Sequence, residues 1–260
     1  MNSDRTLVQI RERTFLDILD LAMVVVRERP VTLGIAAVVG VAPFAALNAW
    51  LVSSAGIKVS GLIPLLLMEV PWATAPLTMA LGGMMFGERP SAGRMLRSFL
   101  RSIPSMLLHH VVVRGFLVLI PLLYFLIPAR LAFLDEVILL ERIGIWSALR
   151  RGAVLCLHRG GELFGQWLAQ LFFGAAFVAC FWLGTEALAR ALTQSELTWE
   201  QPGASDLLDL RFHGAVWLAI AFFGVVRFLT YIDQRIRLEG WEVKLRLRAV
   251  GQLLEDAQRW

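Results

Sequence analysis

The sequence predicts an all-α integral membrane protein: six transmembrane helices in three hairpins, each hairpin preceded by a basic amphipathic interfacial helix. Three observations lead there. Of the 260 residues, 57% are hydrophobic and only 18% charged, and mean hydropathy is +0.65, outside the usual range of soluble domains. The apolar residues are gathered into runs of the length a bilayer requires, about 20 residues each. The arginines fall between those runs, in alternate segments, as in loops retained in the cytoplasm.

The runs from Val31 to Val52 and from Leu163 to Leu183 contain no charged side chain and are spans by length alone. Residues 61–86 qualify despite Glu69, Pro64, Pro71 and Pro76, because neighbouring helices and local waters satisfy the backbone groups that proline frees. Residues 212–231 are apolar apart from His213 and Arg227, and Arg227 is expected to snorkel to the nearer surface. The stretch 103–140 is broken by Arg114, Pro121, Pro128, Arg130, Asp135 and Glu136, so it is one span or two.

Charge decides between the two. The N-terminal arm (Arg5, Arg11, Arg13, Arg27, Arg29), the segment with Arg89, Arg94, Arg97 and Arg101, the segment with Arg142, Arg150, Arg151 and Arg159, and the tail with Arg235, Arg237, Lys244, Arg246, Arg248 and Arg259 all read as cytoplasmic. The segment 184–211 sets Arg190 and Arg211 against Glu186, Glu196, Glu200, Asp206 and Asp209 and reads as external. Two cytoplasmic segments flank residues 103–140, which must then cross twice or re-enter; the reading adopted is a tight hairpin turning near Pro121. The expectation is one polytopic domain, 1–260, with spans at 31–52, 61–86, 103–121, 122–140, 163–183 and 212–231, a cytoplasmic tail at 232–260, and both termini in the cytoplasm.

The charges of the first thirty residues leave no uninterrupted apolar core for a cleavable signal peptide, so the first span is expected to act as its own insertion signal. Cys156 and Cys180 show no metal or redox spacing. A net charge of +4 can indicate nucleic acid, but arginines placed between apolar runs fit the lipid bilayer better, with anionic headgroups at the cytoplasmic face as their partners.

The joints into the inward-to-outward spans resemble one another: Arg27-x-x-Pro30, Arg101-x-x-Pro104 and Arg159-x-x-Glu162. Proline and glutamate both suit a first helical turn. Before each joint lies an amphipathic arm: Phe15, Ile18, Leu19, Ala22, Val25 and Val26; Met95, Leu96, Phe99, Leu100 and Ile103; and, more loosely, Trp146, Leu149, Ala153 and Leu157. Three repeated units account for this, as does the plainer rule that multi-pass proteins alternate basic loops with spans.

Beyond the last span, helical spacing pairs Asp233 with Arg237 and Arg235 with Glu239. Residues 241–248 then alternate apolar and charged, which admits a strand, although helix is the favoured reading in an all-helical chain. The run Tyr231, Asp233, Arg235, Arg237, Glu239, Gly240, together with Glu141 and the Ala148-Leu149-Arg150-Arg151 segment, resembles the membrane domain of some glycerophosphodiester phosphodiesterases and related stand-alone bacterial six-helix membrane proteins of unknown function. The resemblance spans roughly residues 90–248. It implies a six-helix fold in the bacterial inner membrane; the catalytic barrel of the fused enzymes has no counterpart here, and Glu242-Val243 stands where an Asp-Leu pair is common.

Ionisable groups inside a bilayer are costly and become functional candidates by default. Glu69, Arg114 and Arg130 fall at similar predicted depth and form a candidate intramembrane charge cluster; the plainer alternative is a register-fixing ion pair with one arginine snorkelling. Tyr231, Asp233, Arg235, Arg237, Glu239 and Gly240 form a candidate cytoplasmic motif. His109 and His110 are adjacent, and a helix separates adjacent side chains by about 100°, so no shared metal is expected of them. No catalytic, cofactor-binding or metal motif is recognisable. The expected function is a non-enzymatic scaffold or anchor for a cytoplasmic or membrane partner, with a possible protein partner on the tail. The alternative is a transporter or lipid-handling protein that uses the intramembrane charges.

Overall fold

The computed structural model describes residues 14–54, 56, 59–85, 92–110, 115, 130–141, 143–157, 159–193 and 210–258. Every regular element among them is helical. Helix α1 (Phe15–Glu28) starts at Thr14, whose hydroxyl accepts the Asp17 N–H while the Asp17 carboxylate accepts the Thr14 N–H at 2.9 Å, a reciprocal capping box. It ends at Arg29. Helix α2 (Pro30–Ser53) begins at once with Pro30 in the first position, where a missing N–H costs nothing.

Helix α3 (Val59–Met85) carries three internal prolines, Pro64, Pro71 and Pro76. Thr74 Oγ donates to the Val70 carbonyl at 2.9 Å within this proline-rich stretch. Helix α4 (Ala92–Leu107) runs straight through Pro104 and passes into a π-helical turn at 108–110. The expected boundary at Arg101-x-x-Pro104 is therefore absent. Proline deprives the carbonyl four residues back of its partner, here that of Leu100; both residues lie on the exposed side of α4, away from the packed interior.

A short helical segment, Leu134–Glu136, leads into the π-helical Val137–Glu141. Helix α5 (Ile145–Cys156) and helix α6 (Gly160–Thr193) follow, separated at Arg159, whose Nε donates to Glu162 at 2.6 Å. Two of the three proposed repeat joints are thus real helix boundaries. Helix α7 (Leu210–Gln258) is continuous over 49 residues, about 74 Å at 1.5 Å per residue. It passes Gly240 without a break, and 241–249, where alternation admitted a strand, is helix.

Four helices are long and apolar enough to cross a membrane: 30–53, 64–85, 160–192 and 212–238. They correspond to four of the six expected spans. Most of the turn between the other two, 111–114 and 116–129, lies outside the described residues; the start of the first belongs to α4, and the end of the second consists of short buried turns.

Packing runs in the order α2, α3, α7, α6. Over half of the apolar window is buried in α3 and in α7, and none of it in α6, which leaves Leu171, Phe172, Leu188 and Leu192 exposed. Apolar surface on this scale is unfavourable in water and compatible with a lipid environment. Close helix contacts are set by Gly40, where an added Cβ meets the Ala73 carbonyl oxygen at 1.9 Å, and by Gly224, where it meets Thr74 Cγ2 at 3.1 Å. Gly161 and Gly165, spaced as small-residue contacts in sequence, face open space.

A buried apolar cluster surrounds residues 225–232 of α7. Ile18 and Ala22 of α1, Met106 of α4, Phe133, Leu134 and Val137 of the turn segment, and Ala148 and Leu155 of α5 are all buried there, together with Val226, Phe228 and Tyr231.

Candidate functional site

Inside this packed end lies a cluster of ionisable side chains. Asp135 and Glu136 are adjacent in the short helical turn before the π-helical segment, and both are buried. Arg227 of α7 reaches them with both arms of its guanidinium: one terminal nitrogen donates to Asp135 Oδ2 at 2.8 Å, and Nε donates to Glu136 Oε1. A planar fork meeting two carboxylates is the geometry arginine supplies and lysine does not. Arg227 is therefore not a snorkelling residue. The carboxylates placed beside it by the turn segment hold it in the protein, a partner invisible in the local sequence of α7.

His109 and His110, at the end of α4, close the other side of Asp135. His109 Nδ1 lies 3.2 Å and His110 Nε2 3.4 Å from the same oxygen, Asp135 Oδ1. Adjacent histidines, from which a regular helix leads one to expect no shared metal, thus both face one carboxylate oxygen. The backbone is π-helical at 108–110, and the rings approach with different nitrogens, the near Nδ1 of one and the far Nε2 of the other. Their centroids are 4.7 Å apart. Trp72 of α3 packs a tilted ring on His110 at 5.5 Å and an edge on Phe99 at 6.2 Å, walling the cluster from the α3 side. One ring nitrogen of each histidine and a carboxylate oxygen of Asp135 fall within 4.8 Å of one another, close enough to hold a metal ion.

One helical turn along α7, the Tyr231 hydroxyl donates to Glu141 Oε1 at 2.9 Å, and Arg151 Nε of α5 donates to Glu141 Oε2 at 3.2 Å. Tyr231 is buried, its ring 5.9 Å from that of Phe133. Asp233, also buried, accepts from Arg237 Nε at 2.7 Å, the i,i+4 pair expected from spacing. Of the sequence-derived tail motif, Tyr231 and Asp233 are core residues, Gly240 is exposed, and the Glu239 side chain lies outside the described residues. The two separate stretches that carry the family resemblance, around Glu141–Arg151 and around Tyr231, meet in this one place.

Of the expected intramembrane trio, Glu69 and Arg130 fall among the described residues. Glu69 is buried between α2 and α3 and accepts a hydrogen bond from Asn48 Nδ2 at 2.8 Å. Arg130 is exposed, and Arg114 lies outside the described residues. An amide, not a guanidinium, is thus the described partner of Glu69. Asn48 carried no signal in the sequence because a single asparagine in an apolar run leaves hydropathy almost unchanged.

Chemically, the cluster couples α4, the turn segment, α5 and α7 through charge-assisted hydrogen bonds among buried side chains. Cys156 packs beside it, and burial pushes its thiol up, away from the thiolate that a nucleophile requires. Asp135, Glu136 and Arg227 were missed as a site because they are scattered over ninety residues of sequence. The one available signal was an acidic pair and a lone arginine, each inside an apolar stretch. Comparison with protein-family models, with curated proteins and with solved structures finds no match to this chain.

Proposed function

We propose that this chain is a non-enzymatic, multi-pass protein of the bacterial inner membrane that anchors a partner through its cytoplasmic helical tail. The observation that carries this reading is the continuity of α7 from its apolar portion to Gln258, combined with the ionic cluster that grips it at Arg227 and Tyr231. A helix gripped at its membrane exit presents its distal turns in a fixed direction, as an anchor requires. The tail sequence is rich in Arg and Lys between apolar positions, which suits an acidic partner helix or groove.

In this reading the chain crosses six times, the two crossings beyond the four apolar helices being formed by 103–121 and 122–140. The arms α1, α4 and α5 lie in the cytoplasmic interface. Each has a buried stripe beside exposed apolar side chains: Leu16 and Met23 on α1, Leu96 and Leu100 on α4, Trp146 and Val154 on α5. Exposed apolar residues flanked by arginines fit headgroup and acyl-chain contact. The meeting of Glu141, Arg151 and Tyr231 supports the resemblance to the phosphodiesterase-associated membrane domain, since it gives the separated motif residues a common structural reason.

One observation favours the alternative of a transporter or lipid-handling protein. Glu69 Oε1 and Asn48 Oδ1 are buried with no hydrogen-bond partner among the described residues, and unsatisfied intramembrane polar atoms commonly mark substrate or proton paths.

The test is affinity capture from gently solubilised membranes, comparing the intact chain with one ending after Gly240. Truncation after Tyr231 is unsuitable, because it removes the buried Ile232, Asp233 and Gln234. The anchor reading expects specific co-purifying protein to disappear on truncation while the thermal transition in detergent is retained. An unchanged set of partners overturns it.

A further inference from the structure

We propose that His109, His110 and Asp135 bind one divalent transition-metal ion of the zinc class, which pins the end of α4 to the turn segment before α5. The site is independent of the anchor reading and is carried by ligand geometry. Zinc bonds to imidazole nitrogen and carboxylate oxygen are about 2.0–2.1 Å long, which makes the edge of a tetrahedral site roughly 3.4 Å. His109 Nδ1 and His110 Nε2 stand 3.2 and 3.4 Å from Asp135 Oδ1, already at that edge length. One ring nitrogen of each histidine and an Asp135 carboxylate oxygen lie within 4.8 Å of one another, so modest χ rotation closes the set. Two imidazoles and one carboxylate select zinc, cobalt or nickel over calcium and magnesium, which take oxygen.

Three further features fit a metal. Asp135 is oriented by its other oxygen: Oδ2 accepts from Arg227 at 2.8 Å, leaving Oδ1 turned to the histidines, the outer-shell arrangement typical of metal-binding carboxylates. Arg227 is shared between Asp135 and Glu136, so it does not serve Asp135 alone, and a cation on Oδ1 is electrostatically compatible with the site. Both backbone segments at the site depart from α-helix, at 108–110 and at Val137–Glu141 just after Asp135, and π-helical turns recur at functional sites. The three protein ligands take three tetrahedral positions, and water takes the fourth. In the metal-free alternative, His109 Nδ1–H simply donates to Asp135.

The test uses the full-length chain in detergent, with any affinity tag removed, stripped by chelator and titrated with Co²⁺. The proposal expects one saturable equivalent per chain, the visible ligand-field absorption of a tetrahedral cobalt centre, and displacement by Zn²⁺. His110→Gln and Asp135→Asn are expected to weaken binding by at least about 10–100-fold, the loss that even an outer-shell change produces. Absence of saturable binding to the folded, stripped wild-type chain overturns the proposal, as does unchanged affinity in a folded His110→Gln variant. X-ray absorption on the cobalt-loaded wild type keeps the test decisive if the variants do not fold. Two imidazole ligands are expected, and a six-coordinate all-oxygen shell overturns the proposal.

Discussion

Arg227 is the cation that two buried carboxylates share. Removing it leaves the buried Asp135 and Glu136 without their shared counter-ion, and breaking a buried pair from one side typically costs about 3–5 kcal/mol. Arg227→Ala is therefore expected to lose roughly that much stability, or to fail to accumulate, in denaturant or thermal unfolding in detergent. Arg227→Lys is expected to recover only part of the loss, because an ammonium cannot contact both carboxylates with a fixed fork. Equal stability of Arg227→Ala and wild type rules out the cluster as a structural tie. At this scale the sequence was partly legible: the Asp233–Arg237 pair follows from helical spacing, whereas the partners of Arg227 and Glu69 come from other elements. Periodicity describes one helix at a time. It says nothing of which acid a distant turn carries to an arginine, nor that two adjacent histidines come within 3.2 and 3.4 Å of one carboxylate oxygen.

At the scale of elements, the helices pack through glycines that hydropathy does not single out. Gly40 lies directly against the Ala73 carbonyl, so Gly40→Leu must part α2 from α3. It is expected to destabilise by more than the ~1–3 kcal/mol of ordinary overpacking, because the obstacle is backbone, not a side chain that can turn aside. Gly165→Ala, facing open space, is the control and is expected to leave the melting temperature within a degree or two. A folded, wild-type-like Gly40→Leu variant contradicts the α2–α3 contact. The long apolar helices were readable from composition because nothing else explains such runs. The α1–α2 break was readable because Pro30 is a local signal. The continuity of α4 through Pro104 was not, since whether a helix survives a proline depends on what faces the freed carbonyl.

For the whole molecule, the charged arms and the ionic cluster gather at one end, around residues 225–232 of α7, and the tail continues from there. The account requires that end to be cytoplasmic and the chain to turn on the opposite side between 103–121 and 122–140. Class and sidedness were expected from bulk hydropathy and arginine placement; the cluster that binds the arms together was not, because it is a product of tertiary packing. The most direct measurement is paired cysteine accessibility in a background lacking Cys156 and Cys180. Single cysteines at positions 121 and 252 are treated with a membrane-impermeant maleimide, from outside in spheroplasts and from the cytoplasmic side in inverted vesicles. The account predicts that position 121 labels only from outside and position 252 only from the cytoplasmic side. Labelling of both from the same side contradicts it.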